Sequence, residues 1–338
     1  MKKILSIITA VSLLLTAAAT LNAGAEEKKT VRVTVQNERF AVSDGAPWEG
    51  KLLDVEVALG EDDSIESVIE RAVSENGFAF TVSEYGYISS VNGLSEYAAN
   101  GSGGWMAALN NWFTSDGTSA YTVKNGGLQA GDEIVMQYTC SWGADVGSLY
   151  GDFTTTLSAD EFGISGTHVA DCTYRQLFSP AATDYTIYIT SDADVLDFNA
   201  VPVNKNYQVR AYKNNYQPAV EGADFRGCKN IPVENGDTVY IGVGNPAWPS
   251  MNSWVGTAEE TVYRFAVKKL IAGDLNDNGM LDVDDVTVLQ RHLAEFTNAD
   301  GSEIVNDENF MTADFDGNGV VDIADATKMQ TVLAEFDV

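Results

Sequence analysis

The sequence predicts a multidomain protein: an α+β domain, then an all-β sandwich, then a small all-α domain that binds calcium. Three observations predict it. A single helix-period apolar stripe lies among short strand-like segments before residue 150. Period-two alternation alone fills residues 152–270. Near the C-terminus a twelve-residue pattern of Asp, Asn and Gly occurs twice, and each copy leads into an apolar helical stripe. The expected boundaries are 1–25 for a signal peptide, 26–150, 151–270 and 271–338.

The N-terminal 25 residues read as an export signal. Lys2 and Lys3 precede an apolar run over 4–19, and Ala23, Gly24 and Ala25 supply the small residues that a signal peptidase reads. Cleavage after Ala25 and a secreted protein are expected; an uncleaved anchor is the alternative. Composition agrees with export, since 49 acidic residues face 20 basic ones for a formal net charge of −29. Such a chain is repelled by phosphate, so nucleic acid and anionic membranes are not expected partners. Three cysteines, Cys140, Cys172 and Cys228, are too few for a disulfide framework. A Cys172–Cys228 bridge would stabilise the fold by about 4 kcal/mol in the chain-entropy model; free buried thiols are the other reading.

Residues 26–150 open with the alternating segment VRVTV, turn at 44–50 and continue into a second strand over 53–59. A helix follows, with Asp63 as the expected cap, Glu66 closing a capping box, and Ile65, Val68, Ile69, Ala72 and Val73 on one face. Asn76 and Gly77 end it. Trp105 and Trp112 flank Asn110 and Asn111, a set of flat apolar faces beside amides that suits a sugar or a peptide, or else the core and turns of a small sheet. Trp142 reads as packing. The phrases DDSIESVIERA, EYGYISSVNGL, GSGGWMAALNNWF and GGLQAGDEIVMQY resemble the bacterial relatives of the transcobalamin C-terminal domain. That resemblance implies a β-grasp-like fold, a helix cradled by a mixed sheet. In vertebrate members the domain helps to hold a corrinoid beside an α-barrel, which has no counterpart here. A general binding or adhesion role is therefore expected, with a corrinoid as the alternative ligand.

Residues 151–270 contain YTIYIT, NYQVRAY, DTVYIGVG and TVYRFAVKK, each alternating at period two, and two packed sheets would bury those faces. The pieces TTTLSADEFGIS, LFSPAATDYTIYI, VLDFNAVPVNKNYQVRAY and ETVYRFAVKKL resemble the cadherin-like β-sandwich of bacterial surface proteins, which implies a spacer or adhesive module. The loop NPAWPSMNSW places Trp248 and Trp254 six residues apart among Pro, Asn and Ser. Two readings are open: rings that stack on a sugar, or rings that plug the end of the sandwich.

The repeat carries the most chemistry. Positions 1, 3, 5, 9 and 12 are Asp274, Asn276, Asn278, Asp282 and Asp285 in the first copy, and Asp314, Asp316, Asn318, Asp322 and Asp325 in the second. Gly279 and Gly319 occupy position 6, and the carbonyls of Met280 and Val320 at position 7 complete an all-oxygen ligand set for a hard cation. Calcium, one ion per loop, is the expected cofactor. A shorter Asp replaces the bidentate Glu usual at position 12. Helical stripes follow at Val286, Leu289, Leu293 and Phe296, and at Ile323, Ala326, Met329, Leu333 and Phe336. Residues 262–270 alternate like a strand, so each unit is a loop and one helix.

The runs GDLNDNGMLDVDDVTVLQRHLAEF and ADFDGNGVVDIADATKMQTVLAEF resemble a type I dockerin. The resemblance implies a module that folds around two calcium ions and plugs a secreted protein into a cohesin domain of a scaffolding or cell-surface protein, as in a cellulosome. By the same resemblance the cohesin-facing positions are Val283, Asp284, Gln290 and Arg291 in one copy and Ile323, Ala324, Gln330 and Thr331 in the other. The copies differ there, which argues against symmetric two-way binding. For Val283 and Ile323, ordinary core packing at a helix start is the competing reading.

No enzyme is expected. His168 and His292 are the only histidines, GISGT at 163–167 is one residue short of a nucleophile elbow, and no phosphate loop or dinucleotide fingerprint occurs. The sequence thus points to a secreted, non-catalytic accessory protein that docks through calcium-dependent loops and presents two β domains for binding or adhesion. The alternatives are a polysaccharide or corrinoid binder and, further off, a glycoside hydrolase.

Overall fold

The computed structural model describes residues 29–84, 86–166, 178–190, 194–220, 222–306 and 309–334. The export signal, His168, Cys172 with its pairing to Cys228, and Phe336 lie outside the described residues. No helix among those described is long and apolar enough to cross a membrane.

The first region is built on β1 (Thr30–Asn37), β2 (Gly50–Ala58), α1 (Ile65–Glu75), β3 (Phe80–Val82), β4 (Ile88–Val91), β5 (Leu94–Ser95), β6 (Gly104–Leu109), β7 (Trp112–Phe113) and β8 (Glu133–Thr139). Five strands form one sheet in the order β2-β1-β8-β6-β7, and β3-β4-β5 form a second. β1 runs parallel to β8; the other neighbours are antiparallel. Alternation does the work in β1, where Val31, Val33 and Val35 are all buried against the apolar stripe of α1. All five residues of that stripe are buried, so the 3.6-residue spacing was a true guide.

The cap of α1 differs from expectation. Ser64, not Asp63, is the N-cap, and Ser67, not Glu66, closes the box: Ser67 N donates to Ser64 Oγ and Ser64 N donates to Ser67 Oγ. Asp63 instead holds the preceding turn, accepting from Gly60 N at 2.7 Å and from Arg71 at 2.6 Å. The Arg71 guanidinium beside it keeps the Asp63 carboxyl below the usual carboxylate range.

The second region contains β9 (Gly163–Gly166), β10 (Asp184–Thr190), β11 (Val195–Asn199), β12 (Val209–Lys213), β13 (Ile231–Pro232), β14 (Thr238–Val243) and β15 (Thr261–Leu270). The orders are β10-β15-β14-β12 and β13-β11-β9. Residues of both sheets share one apolar cluster, centred on Phe198, Tyr263 and Phe265. Cys228 is buried there, which pushes its thiol up to about 12.

Polar groups join the two regions. Asp132, fully buried, receives both arms of Arg226 at 2.8 Å, Asn110 Nδ2 at 2.6 Å and Gln129 N at 2.7 Å. Buried Asn204, Asn206 and Asn252 form an amide network that reaches Ser148 and the carbonyls of Leu149 and Asp152. These groups satisfy one another, as buried polar atoms must.

The expected fold class is corrected by the structure. Among the described residues the protein is mostly β-sheet, with four short helices and 17% of residues helical when 3-10 turns are included, and no separate all-α domain is evident. After β15, helix among the described residues comprises α2 (Val283–Leu293), α3 (Phe310–Ala313) and α4 (Ile323–Leu333). The reason lies in the loops. Their Asp and Asn side chains take up the local N–H groups that a helix would need, so most of that stretch is turn. The helices also end at Leu293 and Leu333, which leaves Phe296 outside α2 and exposed.

Candidate metal centre

The two Asp-rich loops have the same internal wiring. In the first, Asp274 Oδ1 accepts from Asn278 N at 3.0 Å and Oδ2 from Gly279 N at 2.9 Å. In the second, Asp314 Oδ1 accepts from Asn318 N at 3.1 Å and Oδ2 from Gly319 N at 2.8 Å. Asn276 and Asp316 each accept from the N–H of position 5 at 3.0 Å, and Asn278 and Asn318 accept from Met280 N and Val320 N. Successive oxygens thus turn inward along a tight curve. The curve needs a left-handed residue at position 6, where φ is 91° at Gly279 and 86° at Gly319.

Position 12 closes each loop. Asp285 and Asp325 are fully buried carboxylates at the third position of their helices. Asp285 Oδ1 accepts from Leu275 N at 2.9 Å and Asn276 N at 3.1 Å, while Oδ2 accepts from Asp282 N at 2.8 Å. Asp325 takes Asp316 N at 3.0 Å and Asp322 N at 2.8 Å. Asp282 and Asp322 are the N-caps, and each completes a capping box with the acid three residues on. One buried carboxylate therefore ties the front of the loop to the start of the helix, a role that the sequence pattern did not reveal.

The donor set fits a hard cation. Carboxylate oxygens of Asp314, Asp316 and Asp325 lie within 4.8 Å of one another. Oxygens about 2.4 Å from one calcium ion lie no farther apart than about 4.8 Å, so the spacing is compatible with a single ion. In the first loop Asn276 stands where Asp316 stands in the second, which lowers the charge gathered there. Four carboxylates at ligand positions against three lead us to expect the second loop to fill first. Calorimetry should show a larger loss of calcium affinity for Asp314→Ala than for Asp274→Ala; equal losses, or a larger loss at Asp274, would contradict that order.

No protein-family model matches the chain, and no curated protein matches it.

The surface around them repeats as well. Asp284, Gln290, Arg291, Ala324 and Gln330 are exposed, and Thr331 is half-buried. Val283 is 69% exposed and Ile323 66%, so neither is core, and the competing reading of ordinary packing fails for both. Beneath them Val286, Leu289, Ala326 and Met329 are buried together with Leu275 and Val305.

The aromatic candidates divide differently. Trp105 is buried, donating to Leu94 O at 3.0 Å and stacked on Trp48. Trp112 is buried against Tyr121. Trp248 is buried beneath the Arg210 guanidinium, 4.9 Å from its ring centre. Of the two readings open for these three rings, burial agrees with packing: each ring packs into the protein. Trp254, 87% exposed, is the one of the four that faces solvent. Trp142, read as packing, is 69% exposed. Neither ring was separable by sequence, since all six tryptophans sit beside turn residues.

Proposed function

We propose that the protein is a secreted, non-catalytic accessory factor that docks, through two calcium-filled loops of type I dockerin kind, onto a cohesin domain of a scaffolding or cell-surface protein, and that its β regions present a ligand-binding surface. The observation that carries this reading is the exposed apolar residue at the first turn of both loop-bound helices, Val283 and Ile323. Exposed valine and isoleucine at equivalent places, each next to a buried carboxylate cage, are what a partner would cover. Calcium supplies rigidity: with ions bound, the loops hold α2 and α4 at fixed angles, and the apolar pair is presented as one surface.

Immobilised cohesin domains, probed with the full chain in calcium and again in chelator, test the reading. At least one cohesin should retain the protein in calcium and release it in chelator. The double variant Val283→Asp with Ile323→Asp should bind at least about 100-fold more weakly with calcium uptake unchanged. Retention indifferent to chelator, or no retention by any cohesin, would contradict it.

A further inference from the structure

A cavity of about 610 Å³ opens on the first β region, and no residue of the Asp-rich loops lines it. Tyr87, Tyr97 and Trp142 line it, and they are 40%, 54% and 69% exposed. Met106 and Met251 also line it, the latter from the loop between β14 and β15. Monomeric surfaces seldom gather several large open rings in one place without a use for them.

The rings are held rather than loose. Tyr97 and Trp142 both have left-handed backbone, with φ of 61° and 50°, a conformation that a bulky residue adopts only when its surroundings impose it. Both are tied to one turn, Tyr97 N donating to Gly103 O at 2.9 Å and Trp142 N to Ser102 O at 3.0 Å. Tyr87 is pinned by its hydroxyl, which accepts from Trp105 N at 2.8 Å and donates to Trp105 O at 3.0 Å. Gly104 makes room for it, because a Cβ there would lie 2.6 Å from that hydroxyl.

Charge chooses among ligands. Glu84 and Glu96 line the cavity, and among the described residues no lysine, arginine or histidine does. Neither carboxylate has a hydrogen-bond or salt-bridge partner among the described residues. A second cavity, between the two β regions, offers the contrast: its Arg226, Asn110 and Asn125 are already engaged by protein groups. Two unpaired carboxylates and the negative faces of three aromatic rings attract the same kind of group, a cation carried on an apolar body. Methionine lining adapts to such a body.

We propose that this cavity binds an organic ammonium ion, either a free amine or the side chain of a lysine in a peptide. The proposal deepens the reading of the β region as a ligand-presenting surface and rests on that part of it alone; it does not depend on the calcium loops. The test is calorimetry of the full chain with three probes: phenethylammonium, acetyl-trilysine amide and cellohexaose. Saturable binding of the first is expected if free amines are the ligands, and of the second if lysine side chains are, and either result supports the proposal. Trp142→Ala, Tyr97→Ala and the pair Glu84→Gln with Glu96→Gln should each weaken binding about tenfold or more. Near-UV circular dichroism should show these surface variants folded. Binding should weaken with added salt and be unchanged by chelator. Failure of both cations to bind would overturn the proposal while leaving calcium-dependent docking intact. So would cation binding insensitive to all the variants, or cellohexaose binding that Trp142→Ala abolishes, which would make the cavity a glycan site.

Discussion

Replacing Asp325 with alanine is expected to abolish metal uptake by the second loop and to unravel the start of α4. The carboxylate is fully buried and accepts from Asp316 N at 3.0 Å and Asp322 N at 2.8 Å, so the substitution strands two backbone donors as well as deleting a proposed metal ligand. Each stranded donor is part-buried and costs at most about 1 to 3 kcal/mol. The proposed metal binding would be coupled to local folding, so the losses add to one effect, and calcium affinity at that loop should fall by more than about 100-fold. Asp325→Asn, which keeps one acceptor and loses the charge, should fall between alanine and the parent. Calorimetry checks both; a change within twofold for Asp325→Ala would show that the carboxylate organises nothing.

Arg226→Ala should produce the largest loss of stability outside the loops. Asp132 has no solvent exposure, and Arg226 gives it two hydrogen bonds at 2.8 Å while also donating to the carbonyls of Gly126 and Gly127 at 3.1 Å. Removing the guanidinium leaves a buried carboxylate without its counter-ion, a change that costs about 3 kcal/mol or more. Urea unfolding should show it as a fall in midpoint. The double variant Arg226→Ala with Asp132→Asn should recover part of the loss, since the stranded charge is then gone. A single-variant cost under about 1 kcal/mol would mean that the two β regions are not held by this pair.

What the sequence made legible follows the range of each interaction. The stripe of α1 and the alternation of β1 and β15 were readable because each is a local pattern imposed by one buried face. The loops were readable because oxygens at fixed spacing and a glycine at position 6 are consecutive in the chain. The cap of α1 was misread by one residue, since Asp63 and Ser64 are both good caps and Arg71, eight residues on, draws Asp63 away. The all-α class failed for a related reason. The Asx turns that make the loops legible also consume the backbone donors, and the helices stay short. Long-range partners left no trace at all: Asp132 and Arg226 are 94 residues apart, and the open cavity gathers rings from three separate turns. Burial of Trp105, Trp112 and Trp248 against exposure of Trp142 and Trp254 is decided by the same distant packing.

In the proposed function, calcium organises the two loop-and-helix units and so creates the docking surface. Hydrogen exchange of the full chain, followed at peptides covering 283–293 and 323–333 in calcium and in chelator, tests it most directly. The expected result is strong protection of both segments in calcium, a loss of at least about tenfold in chelator, and unchanged protection of β6 and β8 throughout. Equal protection of both helices with and without calcium would contradict it.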